Sequence, residues 1–570
     1  MRTVKIIFSL LLFALSSAVW AQPGKDLPTG QVEVIKVFEA QLAESEKIGV
    51  NPELPPVDTA IKRQTYEVPP KTLEVTYPAP RIRPITYRSE EEIPDIYKAY
   101  LKLGAGLPNS IYGEGAFNTH VETAKKTSYD VGVNLKHHSA NFSNEDVENQ
   151  RFALTKAGLD GTYYFEQGYA VSTNLGYESN KVHYYGYNFD RFSELENIPK
   201  EAVQQVFNTF DIGAKIFNGV QTAGDFNYQA GFDFYSLSDE YAARENGFDI
   251  KAGITKWIKD RHSFDMGIRA DFTWYNDTLE MAQTLHNYTL TPAFTFHGNV
   301  FKVKLGARLA SSNDEYFAFP DAEVVVNLTG NELAFYTGVE GDLKKNTMRS
   351  LSDYNPYIYT RFQDGNNATL RNTRYFNAYA GIRGNLKIFE YTAQIGYKPT
   401  NDLALFKTRF DSPNAPIREQ YSFDVEYADA NIIYFSGSIK ATPVKNVELI
   451  ATLTQNYFDM KDCLGCQVKA WHLPSFTGNF QAAYYALQNK LKARATLFLE
   501  NGLVSNSSPL PSKFDNLNGL YDLSVGAEYW IAKNFGVFLD ANNVLNNKRQ
   551  RWRNYPTYGI NVLGGVTARF

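Results

Sequence analysis

The sequence predicts an all-β protein: a transmembrane antiparallel β-barrel of about 22 strands, with 20 as the lower count, behind a short proline-rich extension. Three observations predict it. Apolar and polar residues alternate in runs of about ten through most of the chain. The connections between runs sort into very short and long polar ones. Aromatic residues are abundant, with 38 Tyr, 39 Phe and 6 Trp among 570 residues.

The alternation begins near residue 98. Leu101, Leu103, Ala105 and Leu107 alternate with Tyr100, Lys102, Gly104 and Gly106. The same pattern recurs at Phe264–Trp274, Phe301–Leu309 and Leu491–Leu499. Successive side chains of a strand point to opposite faces, so each run has one apolar face and one charged or small face. A soluble sandwich usually has strands of five or six residues. Runs of about ten are what a tilted strand needs to cross a bilayer. The charges keep to one face, as they must when a Lys or Arg facing lipid at mid-depth costs roughly 2–4 kcal/mol.

The short connections fall at Phe165–Gln167, Lys259–Arg261, His297–Asn299, Thr329–Asn331 and Ile531–Asn534. The long ones fall near 179–205, 344–374, 400–429, 456–474, 503–519 and 544–558. Short turns on the periplasmic side and long loops outside are the plan of an outer-membrane barrel. Counting back from the C-terminus gives 22 strands over residues 98–570, which puts both barrel ends in the periplasm. A barrel of that size encloses a lumen that known transporters plug.

The N-terminal sixth is different. Residues 1–21 read as a secretory signal peptide: Arg2 and Lys5 precede an apolar segment, and Val19 and Ala21 supply a small-residue cleavage site. Residues 22–97 hold 11 of the 24 prolines and read as an extended, linker-like periplasmic segment. Within it, Ile35, Phe38 and Leu42 stand at helical spacing, either as a docking segment or as a weak helix.

Composition narrows the functional classes. The formal net charge of −5 gives no electrostatic footprint for nucleic acid. After residue 21 there is no run of about 18 apolar residues, which excludes helical spans. Cys463 and Cys466 flank a loop tip and read as a local disulfide, since a metal site needs about four ligands and only His472 is nearby. No cofactor, metal site or catalytic constellation is expected. His137 and His138 open the loop after the strand expected at 126–137 and read as polar rim residues. The basic cluster Lys548, Arg549, Arg551 and Arg553 reads as a solvated loop, with lipopolysaccharide phosphate as the alternative contact. Arg269, Asp271, Lys302, Lys304, Arg308, Lys492 and Arg494 are candidate lumen-lining residues, either along a permeation path or paired with one another in the wall.

The chain's end carries a resemblance. Phe535 to Asn547 is an apolar strand running into Asn-Asn-Val-Leu-Asn-Asn, and Gly559 to Phe570 closes the chain on an aromatic residue. This resembles the last two strands of TonB-dependent receptors, especially the Bacteroidetes type. The resemblance covers roughly 98–570. It implies an outer-membrane location, lipid-facing Ile560, Val562, Val566, Ala568 and Phe570, and a terminal Phe570 read by the barrel-assembly machinery. It implies substrate uptake or membership of an outer-membrane complex rather than enzymatic activity. Val32, Val34 and Ile35 faintly resemble a TonB box, which pairs by strand addition. Receptors of that family carry a much longer plug domain, for which the 76 residues of 22–97 are too few and too rich in proline. The lumen is therefore expected to be filled by this segment, by inward-folded loops or by a separate plugging or surface lipoprotein. A passive porin-like channel and a non-transporting scaffold barrel with its lumen blocked by a partner are the alternatives.

Overall fold

A computed structural model describes residues 97–570, apart from 124–125, 191–194, 219–223, 278–281, 363–369, 411–413, 462–467 and 508–512. Residues 1–96, with the expected signal peptide, nearly all of the proline-rich segment and Val32, Val34 and Ile35, lie outside the described residues, as do Cys463 and Cys466.

The first strands are β1 (Ala99–Leu107), β2 (Ser110–Glu122), β3 (Ser128–Asn141), β4 (Arg151–Tyr164), β5 (Tyr169–His183), β6 (Gln204–Asn218), β7 (Phe226–Ser238), β8 (Arg244–Ile258) and β9 (His262–Asn276). Then come β10 (Gln283–His297), β11 (Phe301–Ser312), β12 (Glu315–Thr329), β13 (Leu333–Asn346), β14 (Arg371–Leu386), β15 (Phe389–Thr408), β16 (Phe423–Val444) and β17 (Val447–Met460). The wall ends with β18 (Phe476–Ala486), β19 (Leu491–Asn501), β22 (Leu520–Trp530), β23 (Phe535–Asn542) and β26 (Asn561–Arg569). Two small hairpins, β20 (Val504–Asn506) with β21 (Phe514–Asn516) and β24 (Gln550–Trp552) with β25 (Tyr555–Pro556), decorate the loops.

The sheet is a single closed ring of 22 strands, as the alternation predicts. Each strand pairs antiparallel with its sequence neighbours in the wall. The ring closes where β1 meets β26, with Leu103 opposite Val566 and Leu107 opposite Val562. Closure removes every sheet edge, which an isolated membrane sheet could not tolerate. The backbone of Phe570 completes the seam, its carbonyl accepting the N–H of Lys98 at 2.6 Å.

The apolar face of each strand points outward. Leu101, Leu103, Ile268, Leu305, Ile395 and Leu539 are exposed, as are Ile560, Val566 and Phe570. Water would penalise this belt and lipid would not. The opposite face carries Lys102, Arg269, Lys304 and Asp540 into the lumen.

Connections at one end are tight, such as 298–300 and 445–446, and most long loops stand at the other. Two expected boundaries move. The region 400–429 is mostly strand, because β15 and β16 run on through a bulge between Thr400 and Leu403, with Asp402 at φ 53°. Likewise β3 continues to Asn141, so His137 and His138 lie inside a strand rather than at a loop start.

Candidate functional site: the capped mouth and the charged lumen wall

The long loops do not stand free. Tyr184, Tyr185 and Tyr187 from one loop pack with Met348, Leu351, Tyr357, Ile358 and Phe362 from another. Trp552 and Tyr555 join from the last loop. These meet inward residues from the upper strands, including Phe207, Leu237, Tyr275, Leu285, Phe406 and Phe423. One buried core thus spans the mouth from β5 to β16. The extra length of β15 and β16 supplies part of it.

Buried tyrosine hydroxyls need partners, and here they tie loop to loop. Tyr185 donates to the Pro556 carbonyl at 2.8 Å, and Tyr555 to the Tyr421 carbonyl at 2.6 Å. Burial pushes the Tyr185 hydroxyl up to about 12. Tyr275 donates to the Thr360 carbonyl.

The loop that follows β13 forms the centre of the cap. Thr347 caps the helix Met348–Tyr354 with a capping box that uses Ser350. Fully buried Glu245 on β8 accepts the backbone N–H of Met348 and Arg349 and the Tyr235 hydroxyl. Arg349 reaches down to Asp211 at 2.7 Å and lies over the Tyr235 ring. Asp239 accepts the N–H of Tyr241 and Ala243 and the Thr360 hydroxyl, and burial holds its carboxyl above the usual aspartate range.

Below this helix the lumen wall bears a cavity of about 380 Å³. Arg269 bonds Asp249 at 2.8 Å and Asp271 at 2.9 Å. Lys345 bonds Asp271 at 2.6 Å, and Lys251 bridges Asp233 and Asp249. Of the expected lumen residues, only Arg269 and Asp271 belong here. Lys304 pairs with Asp321 at 2.7 Å and Arg308 with Asp342 at 2.5 Å, on a different part of the wall. Arg494 shares Asp540 with Lys102 near the seam. Lys492 lies 5.5 Å from the Tyr485 ring centre, and Lys302 makes no ion pair among the described residues.

Alternation alone does not single out Glu245, Lys345 and Arg349. The signal that could have found them is the Thr347-to-Ser350 cap, which marks an ordered helix inside a supposed open loop.

Other candidates resolve by geometry. His137 and His138 are strand neighbours on opposite faces: His137 bonds Thr155 and Ser139, while His138 sits edge-on between Tyr112 and Phe152. They cannot share a metal. His472 is fully buried, with Nδ1 at 2.6 Å from the Phe406 carbonyl and Nε2 accepting the Arg553 N–H at 3.2 Å. Both ring nitrogens are spent within the cap. The expected solvated basic cluster is half absorbed, since Arg551 pairs with Glu500 at 3.0 Å and Arg553 with Asp515 at 2.6 Å. Lys548 and Arg549 remain exposed. Among the described residues no group of three or more metal-ligating side chains exists.

A closed 22-stranded barrel with an apolar belt, a charged lumen and a loop-covered mouth has the fold of the large outer-membrane receptors. The FrpB iron transporter from Neisseria meningitidis superposes with a TM-score of 0.63 at 11% identity, covering 84% of this chain and 82% of that one. The siderophore receptor PirA from Acinetobacter baumannii gives 0.61 at 10% identity, covering 83% and 80%. The ferric-catecholate import receptor Fiu from E. coli K12 gives 0.59 at 9% identity, covering 83% and 82%. No family model matches the chain, and no curated relative does.

Proposed function

We propose that this chain is an outer-membrane, TonB-dependent-receptor-like barrel that takes part in substrate uptake or in an outer-membrane complex. The observation that carries the reading is the 22-stranded ring, whose solved counterparts include an iron transporter and siderophore receptors. It is a transport or assembly protein rather than an enzyme. Residues 1–21 direct export, residues 22–97 form a periplasmic extension in place of a plug, and 98–570 form the barrel. The Asn-rich final loop supports the Bacteroidetes-type assignment within the class. Phe570 is the assembly signal, Cys463 and Cys466 form a loop disulfide, and Val32, Val34 and Ile35 offer a strand to TonB. Outer-membrane lipid, lipopolysaccharide, and a surface or plugging lipoprotein are the remaining partners.

The buried core across the mouth favours a second reading over a passive porin: a scaffold whose lumen is blocked by its own loops. Planar-bilayer recording of the purified chain separates them. A capped receptor or scaffold stays silent. Steady conductance would remove the cap argument and restore the porin. Gentle co-purification from outer membranes then distinguishes uptake from scaffolding by the partner that travels with the barrel.

A further inference from the structure

The cavity beneath the cap helix has a composition that the receptor fold does not require. Four carboxylates and four cations line it, so its formal charge is zero. A site of that kind gives no net field to concentrate a simple anion or cation. It offers opposite charges at separate points instead.

The charges are not all used up. Arg269 has five guanidinium donors and spends Nε on Asp249 and one terminal nitrogen on Asp271, while the side chain stays half exposed. Lys251 is also half exposed, with two carboxylate partners for three donors. On the roof, Asp353 is exposed and makes no hydrogen bond or ion pair among the described residues; the cation that acts on it most strongly is Arg349, whose own ion-pair partner is Asp211. The cavity therefore offers spare donors on the wall, from β8 and β9, and a spare acceptor on the cap helix. Tyr235 is its aromatic residue with a hydroxyl, but Arg349 covers that ring at 4.5 Å. A sugar would find no free Tyr235 face to stack on.

We propose that this cavity is a binding site for a small zwitterion, an amino acid or short peptide, whose ammonium meets Asp353 and whose carboxylate meets Arg269 and Lys251. The volume of about 380 Å³ suits a small solute, being near the low end of ligand pockets at roughly 300–1,000 Å³. Such a ligand bridges the cap to the wall. Within the uptake reading, it is the substrate class; the binding itself needs neither energised uptake nor a partner.

The test is calorimetric titration of alanyl-alanine into the purified full chain in detergent. Saturable binding is expected. N-acetyl-alanyl-alanine and alanyl-alanine amide, each lacking one charge, should bind about tenfold more weakly, as should Asp353→Asn and Lys251→Gln variants. Both variants should keep the heat-modifiable gel migration of a folded barrel. No saturable heat from folded protein, equal binding of the blocked peptides, or an unchanged constant in both variants would each overturn the site. Failure here with intact uptake in cells removes the zwitterion site alone; silence in uptake with intact binding removes the uptake reading alone.

Discussion

The Glu245 carboxylate accepts the backbone N–H of Met348 at 2.6 Å, joining the barrel wall to the first turn of the cap helix. The same carboxylate takes the Arg349 N–H at 3.1 Å. Early helix N–H groups have no partner within the helix, so a buried acceptor must supply one. Glu245→Ala leaves them unsatisfied at a cost of about 1–3 kcal/mol each. The expected outcome is a loosened cap on an intact barrel: faster tryptic cleavage after Arg349 and bursts of conductance in planar bilayers. Glu245→Gln, which keeps one acceptor, should fall between. Cleavage at the wild-type rate in Glu245→Ala would show that the aromatic core alone holds the cap.

Across the seam, Lys102 of β1 lies 3.1 Å from Asp540 of β23, with β26 between their strands. Both side chains are largely buried, and Arg494 reaches the same carboxylate at 2.6 Å. Lys102 also sits over the Phe538 ring. Removing the shared anion leaves two cations facing each other, so Asp540→Ala should cost about 3–5 kcal/mol. Lys102→Ala leaves Asp540 paired and should cost about 1–3 kcal/mol. Heat-modifiable gel migration over a temperature series gives the order. The reverse order would mean that Lys102 acts through packing rather than charge.

Most of the barrel was legible in the sequence because its constraint is local. Any lipid-facing position must be apolar, so Leu101, Ile268 and Leu305 announce themselves by period two. The β15–β16 extension was not legible. Its residues Leu405, Phe406, Phe423 and Val425 bury against loops far away in the chain, and nothing nearby records that. The cap was hidden for the same reason: Tyr185, Tyr357 and Tyr555 look like ordinary loop aromatics until three loops meet. Charged partners were half legible. Alternation puts Arg269 and Asp271 on the lumen face, but Lys345 and Arg349 come from a strand end and a helix within the long polar stretch 344–374, where no alternation marks them.

Gly247 on β8 provides a packing test. A Cβ built there comes within 1.9 Å of the ring of Tyr235, its partner on the neighbouring strand. The ring cannot swing away freely, because its hydroxyl bonds Glu245 at 2.8 Å. Gly247→Ala should therefore cost about 1–3 kcal/mol by overpacking and also weaken the cap anchor. In a Tyr235→Ala background the same substitution should cost nothing further. Melting temperatures of the four proteins in one detergent check this, and additive losses would show that the ring and the glycine do not act together.

His472 should make the cap acid-labile. It is buried between Phe423 and Trp552, and its two ring nitrogens serve one donor and one acceptor role, which fixes a neutral tautomer. Burial, reinforced by Arg551 and Arg553, pushes its pKa down to about 3. An unfolded histidine titrates near 6.5. Between those values the open cap binds the proton that the closed cap refuses, so stability falls as pH drops, by up to about 1.4 kcal/mol per unit. The stabilising contribution is complete above the ordinary histidine range and is lost on acidification toward pH 3. Asp239, held high by burial, works in the opposite sense as its carboxylate takes up a proton. The protection factors of loop amides in 468–475 and 547–558, taken against the intrinsic exchange rate at each pH, should therefore fall below about pH 6, where histidine begins to protonate. A His472→Gln variant should start with a weaker cap at pH 7 and show a shallower acid response. An equally steep response in that variant would assign the acid sensitivity to other groups.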